Sequence, residues 1–423
     1  MEILQAFKFE LRPVGAQRRA LSRFAGCKRF VYNKALALRK AAFDADKSSI
    51  GYCELAKLLT AWRADPQTAW LAGAPVHPLQ QALKDLDAAY KNFFEGRAKF
   101  PQFKRKGDGE SFRYPDPKQF KLDQANRRVF LPKLGWMRYR MSRKVLGELR
   151  NITISQSGGK WFMSVQTRRQ EPTPLPMATA FCGIDMGVAS FATLDSGQPI
   201  AGPNAFKKHE KNLAKYQRRM ARKVKGSSNW KKAKKKVQRI QATIANVRKD
   251  FLHRQTRNLA KSHAGIAIED LKVKNMSASA KGTLEEPGTN VASKSGLNKS
   301  ILDQGWGMFR TMLEYKMERR GHILVAVPAM NTSRKCPKPG CGCVSKDNRK
   351  TQAKFKCVAC GYEGRADHVA AINVREAGHA SLACQARGES MPPATGTRRG
   401  ERGSSSRAAV GIPALSAQAA AFC

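Results

Sequence analysis

Five cysteines crowd together between residues 336 and 360: Cys336, Cys341, Cys343, Cys357 and Cys360. Paired cysteines a few residues apart can each give two thiolates to a tetrahedral zinc ion from one tight turn. Cys357-Val-Ala-Cys360-Gly361 has that form, and its glycine lets the backbone curl its amides toward sulfur. The first pair is Cys336 with Cys341 or Cys343. Cys341 is favoured because Gly342 follows it as Gly361 follows Cys360, and because fifteen residues then precede Cys357, within the usual spacing of a zinc ribbon. The expected ligands of one structural Zn²⁺ are therefore Cys336, Cys341, Cys357 and Cys360. The metal would replace a core that so small a loop cannot build.

Just past Cys360, Asp367 heads a helical stretch that continues through Ala370-Ala371-Ile372-Asn373-Val374. Two apolar runs elsewhere also end in carboxylates: Phe181-Cys-Gly-Ile-Asp185 and Gly265-Ile-Ala-Ile-Glu269. One acid at a strand end says little. Three converging on one end of a sheet could hold two Mg²⁺ ions about 4 Å apart, activate a water and stabilise the leaving oxygen of a phosphodiester. Successive strand residues face opposite ways, so Glu269 and Asp270 cannot both point into such a site.

The elements that must carry these residues can be read from periodicity. Residues 1–170 form one region of mixed character. It holds a strand at Phe7–Leu11, a helix over Gln17–Ala42, breaks at Asp65-Pro66 and His77-Pro78, and a helix over Pro78–Phe94. Asn151–Ser157 and Trp161–Thr167 flank Gly158-Gly159 as a β-hairpin. Pro172, Pro174 and Pro176 mark a stiff linker. Beyond it, strands at Phe181–Asp185, Phe191–Leu194 and Pro199–Ala201 form a meander. Two long helices then fill 207–261 with a break at Gly226–Asn229. A strand follows at Gly265–Leu271, a loop at 273–299, a helix at Ser300–Arg320, a strand at His322–Val327 and a helix at Asp367–Ala377. From Gln385 the chain lacks an apolar pattern, and 385–423 is expected to be a disordered tail.

Charge names the partner class. Lys and Arg total 78 against 32 Asp and Glu, a net charge of +46. A surface that positive favours a polyanion, because each neutralised phosphate releases a counterion. Between Lys207 and Arg239 lie fifteen Lys or Arg and one acid, Glu210, too lopsided for a merely solvated face. The expected phosphate contacts here are Lys215, Arg218, Arg219, Arg222, Lys231, Lys232 and Lys235. Lys99-Phe-Pro-Gln-Phe-Lys-Arg-Lys106 interleaves rings with bases, and Lys104, Arg105 and Lys106 are expected to reach nucleic acid. Phe100 and Phe103 could stack on bases or equally anchor the loop. The sequence shows no apolar run of membrane-spanning length and no secretory leader, so a cytoplasmic protein is expected.

A three-strand meander, a helix, a strand, a helix, a strand and a last helix is the RNase H-like order. With it, several motifs make the chain resemble the TnpB (OrfB) family of insertion sequences. They are Gly183-Ile-Asp185-Met-Gly187, Ile268-Glu269-Asp270-Leu271, Asn298–Gly307 around Trp306, Asn331-Thr-Ser333, the cysteine pairs, and Ala366-Asp367 with Ala370–Asn373. The resemblance covers roughly residues 1–380. It implies an α/β, RuvC-like nuclease domain over 177–380, with a zinc ribbon inserted at 331–364. Before this lies a mixed α+β region at 1–170, helical and wedge-like, that grips a guide RNA and the target. It further implies an RNA-guided DNA endonuclease related to the type V CRISPR effectors, acting on double-stranded DNA with Asp185, Glu269 and Asp367 as magnesium-binding catalytic acids and Asp270 as a bystander. Competing readings are a transposase acting on element ends and a guided repressor without cleavage; the intact acids argue against the second. Two departures stand out: the wide spacing of the first cysteine pair, and Val369 where the family often has Asn.

Overall fold

In the computed structural model, which describes residues 1–107, 109–172, 178–283 and 285–387, the N-terminal alternation builds β1 at Glu2–Arg12. Ile3, Phe7, Phe9 and Leu11 turn inward while Lys8 and Glu2 face solvent, as the two-residue strand period requires. Three helices follow: α1 (Gly15–Asp46), α2 (Tyr52–Ala64) and α3 (Val76–Phe94). Gln17 fixes the start of α1. Its side-chain oxygen accepts from the Val14 N–H at 3.1 Å, and its amide donates to the carbonyls of Leu134 and Trp136. The helix α2 was not foreseen, although Leu55, Leu59 and Trp62 are buried on it at steps of four and three. Pro78 does not break the chain; it sits in the first turn of α3, where a missing N–H costs nothing.

Six more strands close the first sheet: β2 (Ser111–Tyr114), β3 (Lys121–Asp123), β4 (Arg128–Leu131), β5 (Gly135–Arg140), β6 (Glu148–Ser157) and β7 (Lys160–Gln170). The order is β2-β6-β7-β1-β5-β4-β3, and every pairing is antiparallel. One apolar core joins its inner face to the helices, with Phe9, Phe112 and Trp161 from strands and Leu21, Leu36 and Leu83 from helices.

The second sheet takes β8 (Phe181–Asp185), β9 (Ala192–Leu194), β10 (Pro199–Ile200), then, after the long helices α4 (Ala205–Ala221) and α5 (Ser228–Ser262), β11 (Gly265–Glu269). The short α6 (Val273–Met276), α7 (Val291–Gln304) and α8 (Trp306–Glu318) lead to β12 (Ile323–Val327). The order is β10-β9-β8-β11-β12, antiparallel through the meander and parallel from β8 to β12. A small hairpin, β13 (Lys354–Lys356) with β14 (Glu363–Arg365), then runs into α9 (Ala366–Ala386).

Three expectations need correction. The helix expected over Ser300–Arg320 is two helices, because Gly305 adopts φ +75°, a left-handed conformation that ends α7 and starts α8. The loop expected over 273–299 contains α6 and most of α7. Its polar composition hid a helix held by hydrogen bonds: Asn298 donates to the carbonyls of Ser277 and Ala278 at 3.1 Å each, and Lys294 to that of Met276 at 2.6 Å. The last helix runs to Ala386, well past Ala377 and just into the expected tail; the remainder of that tail, and Pro174 and Pro176 of the linker, lie outside the described residues.

The chain divides into two compact units. The first is Met1–Pro172 with Tyr216–Ala242, and the second takes the chain up to Lys215 and again from Thr243. The basic segment of 207–239 is thus shared between them. No helix among the described residues is long and apolar enough to cross a membrane.

Candidate functional site

Strand register sets two of the acids side by side. β8 and β11 are parallel neighbours with Ile268 opposite Ile184, so Asp185 and Glu269 follow on adjacent strands, roughly 4.8 Å apart at the backbone and facing the same way. Asp367 arrives from above. α9 is alanine-rich, a good helix former, and it lies directly on the sheet. A Cβ built on Gly183 would stand 2.2 Å from the Ala371 carbonyl oxygen, and one on Gly378 would stand 2.5 Å from Ala267 Cβ. Only glycine permits that approach. Asp367 occupies the first turn of α9, where unpaired N–H groups favour a negative charge.

Burial and neighbouring charge both act on these acids. The Asp185 carboxyl is pushed up to about 7, first by burial and then by the negative charges of Glu269 and Asp367. Glu269, 7% exposed, is also raised by burial, against the opposing pull of a hydrogen bond from Thr332 and the charge of Arg349. Asp270 points away. It pairs with Arg310 at 2.6 Å and Lys272 at 2.5 Å; Lys272 foremost, then Arg310, holds its carboxyl below the usual range.

Three groups here escaped the sequence reading. Thr332 Oγ1 donates to Glu269 Oε1 at 2.7 Å, and Asn373 Nδ2 donates to the Thr332 and Lys335 carbonyls at 2.7 and 2.8 Å. A buried relay therefore runs from α9 through the loop after β12 to Glu269. Arg349, from the cysteine-bearing loop, holds its guanidinium 3.7 Å from Asp367 Oδ1 and bears electrostatically on both other acids. Thr332 and Asn373 lie inside motifs already noted, but nothing in their spacing reveals a contact. Arg349 is one base among many.

The cysteine loop is organised separately. Among the described residues, Cys336, Cys341, Cys357 and Cys360 converge with all four sulfurs within 4.8 Å. The Cys336–Cys360 and Cys341–Cys357 sulfur separations are 3.6 and 3.7 Å; a tetrahedron with metal–sulfur bonds of about 2.3 Å has edges of about 3.8 Å. Without a metal, burial pushes the Cys336 thiol up to about 12 while backbone N–H groups of Cys360 and Ala359 draw Cys357 down to about 6; a bound cation would hold all four as thiolates. Cys343 stands outside this set. Its carbonyl accepts from the Cys336 N–H at 2.9 Å and from Asn348 Nδ2 at 3.1 Å. Buried Asn348 also donates to the Arg334 carbonyl at 2.8 Å and accepts from the Val358 N–H at 2.9 Å, so it locks the loop next to Arg349.

The basic candidates fall into two groups. Arg105, Lys106, Lys215, Arg218, Arg219, Arg222, Lys231, Lys232 and Lys235 are exposed. Lys104 is turned inward with its ammonium 3.8 Å from the Tyr32 ring centroid, and burial lowers its pKa. Its backbone is pinned to α1 by both ends of the Asn33 amide. Phe100 packs edge-on against Tyr90 and Phe93 and so anchors the loop, whereas Phe103 is 50% exposed.

The arrangement can be set against known proteins. Residues 164–280 match the OrfB family of IS605-type elements, described as "Probable transposase", and residues 306–374 match "Cas12f1-like, TNB domain". Residues 1–48 match a "Helix-turn-helix domain"; here they form one strand and one long helix. "Putative RNA-guided DNA endonuclease InsQ" of Escherichia coli (strain K12) is 51% identical over 91% of this chain and 94% of its own length. "Putative RNA-guided DNA endonuclease" of Streptomyces pristinaespiralis is 34% identical over 98% of this chain and 99% of its own. The chain also shares its fold with the protein of a Cas12f1-sgRNA-target DNA complex, with a TM-score of 0.52 and 11% identity over 88% of this chain and 99% of the other.

Proposed function

The chain belongs to the OrfB (TnpB) family of insertion-sequence RNA-guided DNA endonucleases, and from that premise we infer that it hydrolyses phosphodiester bonds of double-stranded DNA at sites selected by a guide RNA of its element. The observation that carries the reading is that Asp185 and Glu269 end adjacent parallel strands with Asp367 near enough to bear on Asp185: burial first, then the charges of Glu269 and Asp367, lift Asp185 toward neutrality. An all-oxygen carboxylate set under such strain suits a hard divalent cation. Asp185, Glu269 and Asp367 would hold two Mg²⁺ ions, which when bound supply water activation and charge stabilisation at the phosphate. The sheet order and the helix over it support a RuvC-like, RNase H-like domain, with the preceding region as the guide- and target-gripping part.

The chain's own groups have distinct tasks. The Thr332 hydroxyl fixes one oxygen of Glu269 and leaves the other free to coordinate. Arg349, 3.7 Å from Asp367 Oδ1, would move onto a non-bridging phosphate oxygen and stabilise the charge that develops there. Cys336, Cys341, Cys357 and Cys360 would hold one Zn²⁺ that keeps the loop folded and Arg349 in reach. The +46 charge and the guided reading together support binding to nucleic acids.

The test is cleavage of guide-matched DNA in Mg²⁺ by protein purified with its RNA. Asp185→Ala should lower the rate by roughly 100-fold or more while RNA binding is retained. Wild-type protein that binds RNA and matched DNA but leaves it intact would overturn the reading in favour of a non-cleaving repressor. Joining of element ends would favour a strict transposase.

A further inference from the structure

We propose that a basic, ring-lined cleft in the first unit holds unpaired nucleotides of the guide RNA; this deepens, and rests on, the guided-endonuclease reading above. The cleft lies between α1, the loop at Lys106-Gly107 and the N-terminal part of α5. Its volume is about 1340 Å³, larger than the roughly 300–1,000 Å³ of small-molecule pockets and suited to a polymer segment.

Charge selects the occupant first. Among the described lining residues, Arg23, Arg29, Lys34, Lys106, Lys231 and Lys234 face one acid, Glu110. Glu110 is already matched by Arg29 at 3.2 Å, so the remaining cations present net positive charge to whatever enters. Phosphates answer that demand.

Aromatic rings select next. Trp70 is 47% exposed and is braced edge-on by Phe30, with centroids 4.9 Å apart. Trp230 forms part of the opposite lining, with the Lys234 ammonium 5.0 Å from its centroid. A half-exposed indole held rigid in a basic groove is a stacking platform for a base that has no partner strand, and such stacking tolerates any sequence. A duplex would keep its bases away from the rings. Ser22, Gln156 and Gln238 also line it; their hydroxyl and amide groups can donate to and accept from ribose 2′-hydroxyls, which favours RNA over DNA.

The experiment uses the full chain, its copurifying RNA, and matched DNA. Ultraviolet crosslinking of the wild-type complex should join RNA nucleotides to Trp230 or Trp70. Trp230→Ala and Trp70→Ala should each weaken RNA binding by roughly 5- to 100-fold without altering its salt dependence, and Trp230→Phe should restore most of the loss. Lys231→Gln with Lys234→Gln should instead reduce the slope of log affinity against log salt by about 1.4, the signature of two lost phosphate contacts to a single strand. Unchanged RNA affinity in both alanine variants, or crosslinks from these rings to a DNA strand, overturns the cleft assignment while wild-type cutting leaves the endonuclease reading intact. Wild-type protein that binds no RNA overturns both. Should an alanine variant fail to fold, the wild-type crosslink and Trp230→Phe still decide.

Discussion

At the scale of single residues, the acidic site is under electrostatic strain that can be measured without activity. Folding raises the Asp185 carboxyl from its usual value to about 7. The folded state therefore binds this proton more tightly than the unfolded state, and the slope of stability with pH is negative between those two values. In chelator, stability should fall as pH rises from about 4 to about 7. Asp185→Asn should raise the melting temperature by a few degrees at neutral pH and by much less near pH 4; an equal effect at both would refute the strain. Added Mg²⁺ should stabilise wild type and not the variant. Thr332 gives a second handle. Thr332→Val removes the donor to a buried carboxylate and should cost about 10–100-fold in cleavage or Mg²⁺ affinity, whereas Thr332→Ser should retain most of both. No difference between Val and Ser would mean that the hydroxyl does not act through Glu269.

At the scale of elements, the site depends on how closely a helix can lie on a strand. Gly183→Ala would place a carbon 2.2 Å from the Ala371 carbonyl oxygen, forcing α9 away from the sheet and Asp367 with it. The expected cost is about 1–3 kcal/mol of stability, read as a lower melting temperature, with cleavage lost more severely than RNA binding. Gly296→Ala in α7, where nothing lies within 4 Å, should be neutral or stabilising by comparison. The strands that bear Asp185 and Glu269 were legible because each is a short apolar run ending in an acid. The meander was legible from Asp195-Ser-Gly197 between its strands. α7 was not, since polar side chains that bond distant carbonyls leave no periodic signature. The break at Gly305 was equally hidden, because one glycine in a helical pattern does not announce its φ.

At the scale of the molecule, net charge dominates association. Arg218→Gln, Arg219→Gln and Arg222→Gln together should reduce the salt slope of RNA binding by about 2 if all three meet phosphate, with little change in melting temperature; an unchanged slope would make this stretch a solvated face. Composition alone disclosed the polyanion partner, and the cysteine spacing disclosed the four thiols that converge. What composition could not disclose is which bases face outward. Lys104 sits in the same short run as Arg105 and Lys106, yet its ammonium is spent on the Tyr32 ring. Arg349 went unnoticed because its place beside Asp367 comes from a turn held by Asn348 and the Cys343 carbonyl, a tertiary arrangement with no counterpart in spacing.

That turn has a physiological consequence. Arg349 stands 3.7 Å from Asp367 on a loop whose four cysteines converge, and so small a loop would gain its fold from the metal those cysteines would hold. If Arg349 acts at the phosphate as proposed, removing the metal held by these cysteines should weaken cleavage while guide and target binding persist. On that reading, cutting by the element would track the zinc available in its host.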